Sequence, residues 1–290
     1  MKILISGHTG QVAQALQHAL ADHQLLSLGR QAFDLEQPAS LRETVLRERP
    51  QLLINAAAYT AVDLAEQEPE RAFAVNAEAP GAMAKACAEL GIPLIHYSTD
   101  YVFDGTGTRP YLPTDPTSPL GVYGASKREG ERAILAALPS ASIVRVSWLY
   151  DRDGKNFLNT MLRLAADRDV LTVVDDQQGC PTHAGHLAED LLHWVDRMIQ
   201  DPDRTAGLHH YGHRGLTTWH GFATAILARR APDVEVRPVP TSAFPTKARR
   251  PAYSKLDERP FFEALGRESV TWEAALESCL GPTFPLGTPN

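Results

Sequence analysis

A short apolar run at residues 3–6 breaks at Gly7, and Gly7-His8-Thr9-Gly10-Gln11-Val12-Ala13 leads into residues 11–21, where Val12, Leu16, Ala19 and Leu20 recur at helical spacing. A strand that feeds a helix through two glycines admits few folds. Gly7 permits the tight turn, and Gly10 lets a pyrophosphate approach the backbone, where a helix N-terminus offers unpaired N–H groups and the positive end of its dipole. Ala13 is small enough for close helix-to-sheet contact and takes the third glycine position of the phosphate-binding pattern. Such a trio alone also fits a plain structural turn; its position between a strand and an amphipathic helix is what points to a dinucleotide.

The following 130 residues keep the same rhythm. Short apolar runs at residues 24–28, 52–56, 93–98 and 142–148 alternate with helix-period segments at 78–90 and 122–138, the pattern of βα repetition around a buried parallel sheet. Ser40 and Glu43 have capping-box spacing ahead of Leu41, Val45 and Leu46, in a helix that Pro50 ends, and Gly91 stops the helix before it. Residues 104–121, rich in Pro and Gly, form a loop long enough to be functional. The expected fold is α/β, a doubly wound parallel Rossmann-type sheet. Beyond residue 150 the regularity weakens: helices are expected at 156–166, 187–199 and 219–229, and strands at 171–174 and 208–211. Prolines 238, 240, 245, 251 and 260 cut the tail into short pieces. Residues 1–150 therefore read as a cofactor-binding domain, to which some later segments return, and 151–290 mainly as a smaller mixed α/β substrate lobe.

Composition narrows the function. A net charge of −7 argues against general nucleic-acid binding, which needs clustered Lys and Arg. Three scattered cysteines, with no C-x-x-C pair, indicate neither a disulfide framework nor a zinc site. No apolar stretch is long enough for a signal-peptide core or a membrane span, so a cytoplasmic enzyme is expected. The histidines are numerous but scattered; in His209-His210-Tyr211-Gly212-His213, neighbouring strand residues face apart, so no metal is predicted.

The residues that carry chemistry lie at the expected strand ends. The second strand runs into Leu28-Gly29-Arg30, where an acidic residue would bind the ribose 2′-hydroxyl of NAD and an arginine pairs with the 2′-phosphate of NADP. This predicts a preference for NADPH, with Asp34 and Leu35 close enough to line the adenine pocket and to keep NADH possible. Tyr123 and Lys127, four residues apart at the start of a helix, share one face. A free phenol has a pKa of about 10, and a neighbouring ammonium is expected to lower it for proton exchange. Thr99, at the carboxyl end of the fourth strand, can hydrogen-bond the same carbonyl oxygen.

The segments GHTGQVA, NAAAYTAVDLAE, NAEAP, HYSTDYVFDG, VYGASK, RVSWLY, NFLNTMLRLA, DDQQGCPT, TTWHGFA and PTKARRP together resemble the dTDP-4-dehydrorhamnose reductases, an extended branch of the short-chain dehydrogenase/reductases, over nearly the whole chain. The resemblance implies NAD(P)H-dependent reduction of the 4-keto group of dTDP-4-dehydro-β-L-rhamnose to dTDP-β-L-rhamnose. It also implies that Gly10, Gln11 and Val12 hold the pyrophosphate and Asp34 and Leu35 the adenosine end. Ala58, Tyr59, Thr60 and Tyr97 would hold the rest of the cofactor, with Thr99, Tyr123 and Lys127 as the catalytic set. Asp100 and Trp148 match positions that contact the deoxysugar nucleotide. Arg249 and Arg250, in a Pro-rich loop, have the bidentate geometry to clamp the substrate diphosphate.

Some members of the family use magnesium at an acidic dimer interface, but residues 11–19 contain no acidic side chain, so monomer and homodimer both stay open. Two other readings remain: a different nucleotide-sugar epimerase or reductase of the superfamily, and a non-catalytic NADP-binding regulatory subunit like that of methionine adenosyltransferase.

Overall fold

The computed structural model describes residues 1–281. Strand β1 (Lys2–Ser6) leads through the glycine loop into helix α1 (Gln11–Ala19), β2 (Gln24–Leu28), α2 (Pro38–Glu48) and β3 (Leu52–Asn55). Two short helices, α3 (Val62–Ala65) and α4 (Pro69–Phe73), precede a π-helical turn at Ala74–Glu78 and then α5 (Ala79–Leu90). Strand β4 (Leu94–Thr99), helix α6 (Val122–Ala137) and strand β5 (Ser142–Val146) complete the first half.

Every pairing in the central sheet is parallel, in the order β2-β1-β3-β4-β5 followed by a strand from much later in the chain. From β1 the chain moves first to one side, to β2, and then to the other, to β3. That reversal opens a crevice at the carboxyl ends of β1 and β3, the usual ligand position in open α/β sheets. Side chains alternate across the strands as a pleat requires. Ile3 and Ile5 face one core with Val12, Leu16, Trp194 and Phe261, while Leu4 faces the other with Leu41, Val45, Met83 and Ile134.

After β5 come β6 (Leu149–Tyr150), α7 (Phe157–Ala165), β7 (Val170–Val174), β8 (Gln178–Gly179) and β9 (Thr182–His183). The chain then returns. Helix α8 (Ala184–Gln200) lies beside α1, and after α9 (Pro202–Thr205) strand β10 (Gly207–His210) pairs with β5 as the sixth strand of the sheet. Strand β11 (Thr217–Thr218), helix α10 (Trp219–Arg230) and strand β12 (Glu235–Val239) belong to the second lobe, α11 (Arg259–Leu265) caps the core around Ile3 and Ile5, and α12 (Trp272–Leu280) closes the core of the lobe. The lobe has its own core of Tyr150, Leu158, Phe222, Ile226, Trp272 and Leu276.

One local expectation is corrected. Pro38 is the first residue of α2 and Gln37 precedes it without a side-chain cap, so Ser40 and Glu43 form no capping box; the Ser40 hydroxyl donates to the Gln37 carbonyl inside the first turn. Proline supplies the start instead, since its missing N–H costs nothing there. The Pro-rich tail also contains a strand: β12 pairs in parallel with β7, Pro238 opposite Val173. All three cysteines are buried free thiols. Among the described residues no helix is long and apolar enough to cross a membrane.

Candidate active site

The glycine loop ends with its backbone open. Gly7 has φ +93°, a conformation L side chains rarely adopt, and Gly10 precedes α1 with no side-chain cap on the helix N–H groups. These groups are the orphan donors that every helix start presents, and nothing lies within 4 Å of where a Cβ on Gly10 would stand. Val12 is buried in the core, and the Gln11 side chain accepts a bond from Asn156 of the second lobe at 2.9 Å, which leaves its backbone toward the loop. Ala58 and Tyr59 follow β3 at the other lip of the crevice, Tyr59 held by Asn76 and Glu68, with Thr60 exposed beside them.

Arg30 stands at the end of β2, exposed, and pairs with Glu36 and, at 3.8 Å, with Asp34. Glu36 is shared with Arg71 at 3.0 Å, a second cation that the sequence reading had not placed here. Exposed pairs of this kind are weak and exchange readily for an anion. Leu35 points away, into the core with Phe33 and Leu41.

The structure brings Thr99, Asp100, Tyr123 and Lys127 together where β4 ends. A short helical turn, Asp100–Val102, turns the chain toward α6, and Thr99 caps it by accepting from Tyr101 N. Helix α6 comes unusually close: a Cβ on Gly124 would stand 2.1 Å from the Tyr101 carbonyl oxygen, so only glycine fits beside Tyr123. Two turns along, Glu131 accepts a bidentate bond from Arg145 of β5, at 2.8 and 2.7 Å, with both side chains almost wholly buried. That pair fixes the rotation of α6 against the sheet.

Electrostatics differ from the simple expectation. Burial pushes the Tyr123 phenol up to about 12, with a hydrogen bond to Thr99 pulling the other way and the Asp100 charge adding to the rise. Lys127 does not lower it, because its Nζ is turned to the Tyr97 carbonyl at 2.6 Å and to His96 Nε2 at 3.2 Å. Burial lowers the Lys127 ammonium to about 8, opposed by Glu131. Asp100, 2% exposed, is raised to about 7 by burial, against hydrogen bonds from Ser254 and Thr99. The Tyr97 hydroxyl is buried with no hydrogen-bond partner, and so is that of Ser98. Buried polar groups without a partner near the carboxyl end of β4 fit a polar ligand that completes them.

Trp148 follows β5 in the left-handed region, φ +48°, and stacks on Trp219 of α10 with ring centroids 3.6 Å apart and planes 10° from parallel. A bulky residue there is strained, and such strain concentrates at ligand sites. Trp219 is the plate behind it. The two arginines of the Pro-rich loop separate. Arg249 is exposed. Arg250 holds Asp63 bidentately, at 3.0 and 2.6 Å, and the Ala248 carbonyl, which pins the loop to α3, so a diphosphate at this guanidinium would share it with Asp63 or displace that carboxylate.

Comparison with known proteins agrees with this geometry. Residues 1–283 match the family described as the RmlD substrate binding domain. The dTDP-4-dehydrorhamnose reductase of Salmonella typhimurium is 43% identical, over 99% of this chain and 100% of its own length, and that of Burkholderia thailandensis is 42% identical over 97% and 98%. Among solved structures, the dTDP-4-dehydrorhamnose reductase of Clostridium acetobutylicum has a TM-score of 0.89 at 34% identity, covering 97% of this chain and 98% of its own. That of Bacillus anthracis, in complex with NADP, has 0.87 at 32%, covering 96% and 98%. The chain belongs to the dTDP-4-dehydrorhamnose reductase family.

Proposed function

We propose that this protein reduces the 4-keto group of dTDP-4-dehydro-β-L-rhamnose to give dTDP-β-L-rhamnose with NADPH, NADH being a possible substitute, in the cytoplasm, as a monomer or homodimer. The observation that carries the reading is the convergence of Thr99, Tyr123 and Lys127 at the carboxyl end of β4, beside the open glycine loop. The crevice suits the cofactor. The α1 N-terminus with Gly7 and Gly10 faces a pyrophosphate, Arg30 a 2′-phosphate, and the unpartnered Tyr97 hydroxyl a polar group of the nucleotide. When bound, the cofactor supplies the hydride.

The chain supplies the proton. As a hydride adds to C4, the carbonyl π electrons move to oxygen, and Tyr123 donates its O–H to that oxygen while Thr99 holds it. A phenol kept protonated by burial suits this direction of reaction, because an alkoxide is more basic than a phenolate and takes the proton downhill. The expected depression of the phenol is not needed for reduction. Residues 151–290 serve mainly as the substrate lobe, its Trp219 backing Trp148 over one sugar face and its Arg249 facing the diphosphate, while Asp100 at the end of β4 accepts a sugar hydroxyl.

The test mixes the enzyme and NADPH with the 4-keto sugar nucleotide and follows the nicotinamide absorbance. Stoichiometric cofactor oxidation is expected, and Tyr123→Phe should lower turnover at least about a hundredfold while NADPH still binds. A redox-neutral product would identify an epimerase or dehydratase, and binding without turnover a regulatory subunit.

A further inference from the structure

His96 lies on β4 with no exposed surface, one residue before Tyr97 and two strands from the glycine loop. Its ring nitrogens meet Asn55 Nδ2 at 2.9 Å and Lys127 Nζ at 3.2 Å. A neutral imidazole has one donor and one acceptor, so the two neighbours cannot both donate to it. Asn55 decides which does. Its Oδ1 accepts from Ser6 Oγ at 2.5 Å and from Ala57 N at 3.3 Å, which turns the amide nitrogen toward His96. Nδ1 is therefore the acceptor, and the proton sits on Nε2, facing Lys127. Burial and the Lys127 charge both hold the imidazole well below its usual pKa, so it stays neutral.

An Nε2–H pointed at Nζ has a partner only when the amine carries a lone pair. The bond from Nζ to the Tyr97 carbonyl can be made in either protonation state. We propose that His96 is a positioning residue for Lys127, its Nε2–H holding the neutral amine that remains after Lys127 has returned a proton to the Tyr123 phenolate. This rests on the assignment of Tyr123 and Lys127 above. In that step one N–H bond of the ammonium breaks, the proton passes to the phenolate through a bridging water, since Nζ faces the Tyr97 carbonyl and His96, the phenolate regains its O–H, and the electron pair left on Nζ accepts the His96 proton donor. Water later restores the ammonium. The groups facing Nζ are His96 and the Tyr97 carbonyl from β4 and Glu131 from α6, the last engaged by Arg145 of β5; Asp100 acts on Tyr123.

The experiment compares His96→Asn with His96→Gln in the full chain, measuring kcat and KM against pH. Asn leaves a polar atom for Asn55 and gives up Lys127; Gln reaches toward Nζ. Without the donor the neutral amine loses support, so His96→Asn should lower kcat about tenfold with KM within about twofold and move the alkaline limb of kcat upward by about one pH unit. His96→Gln should restore most of both. An unmoved limb overturns the proposal, and so does a loss equal at every pH. Histidine 15N shifts of the wild-type protein read the tautomer without any variant: Nε2–H is expected, and Nδ1–H overturns the proposal. Lys127→Met distinguishes the two levels of argument. If it turns over at the wild-type rate, the catalytic assignment fails; if it is inactive and the His96→Asn limb has not moved, the inference about His96 alone fails.

Discussion

Replacing Asp100 by Asn should stabilise the ligand-free protein at pH 8 and change almost nothing near pH 4. The carboxyl is 2% exposed, and burial raises it from 3.8 to about 7. Because the folded pKa lies above the unfolded one, the native state binds the proton more tightly, and the wild-type protein loses stability as pH rises from about 4 to about 7. A shift of about three units at 1.36 kcal/mol each makes the ionised form cost about 4 kcal/mol above pH 7. Asn reproduces the neutral acid: its Oδ1 accepts from Thr99 Oγ1 as Asp100 does at 3.1 Å, and it carries no charge to desolvate. For 290 residues an unfolding entropy of about 0.6 kcal/mol/K converts that difference into a rise of about 7 °C in Tm at pH 8. Scanning fluorimetry of both proteins from pH 4 to 8 measures it, since all other titrating groups cancel in the difference. Curves that run parallel, or a variant less stable at pH 8, would refute the argument that burial governs this carboxyl.

Two further perturbations probe charges that the fold uses differently. Arg30→Ala should lower kcat/KM for NADPH about tenfold or more and leave that for NADH nearly unchanged, because only one of the two cofactors has a 2′-phosphate to lose a charge-assisted bond; equal losses in steady-state assays would argue against that contact. Glu131→Gln leaves Arg145 buried without its counter-charge and should cost about 3–5 kcal/mol in urea unfolding, a loss under about 1 kcal/mol being the contrary result.

The strands and longer helices of the first half were legible in sequence because each carries its own period, whereas α3 and α4, at four and five residues, are too short to show one; the glycine loop announced the crevice. The lobe was less so. Proline cannot donate to a ladder, so the segment around Pro238 carried no strand signal, yet β12 pairs with β7 alone and leaves its other side free of strands, the edge position where proline is tolerated. Arg250 carried the geometry of a phosphate ligand, but its partner Asp63 lies 187 residues away and has no local signal. The same holds for Trp148 on Trp219, and for Ser6, Asn55, His96 and Lys127. These come from three strands and a helix, and only the strand order β1-β3-β4 places them side by side. Side-chain types revealed what chemistry the chain could do; the tertiary partners that set protonation were beyond any window of neighbouring residues.

The late return of β10 has a consequence for how the protein comes to be made. Strand β5 ends at Val146, and its neighbour β10 begins only at Gly207, with α7, the small strands of the lobe and α8 between them. During synthesis the five earlier strands leave the ribosome with β5 as an unprotected edge, its N–H and C=O groups open to any passing strand. At about 5–20 residues per second, the roughly sixty residues that follow keep that edge exposed for several seconds or more. The fully buried Trp194 of α8, whose indole donates to Ser142 of β5 at 2.9 Å, arrives within the same interval and fastens the sheet just before its last strand docks.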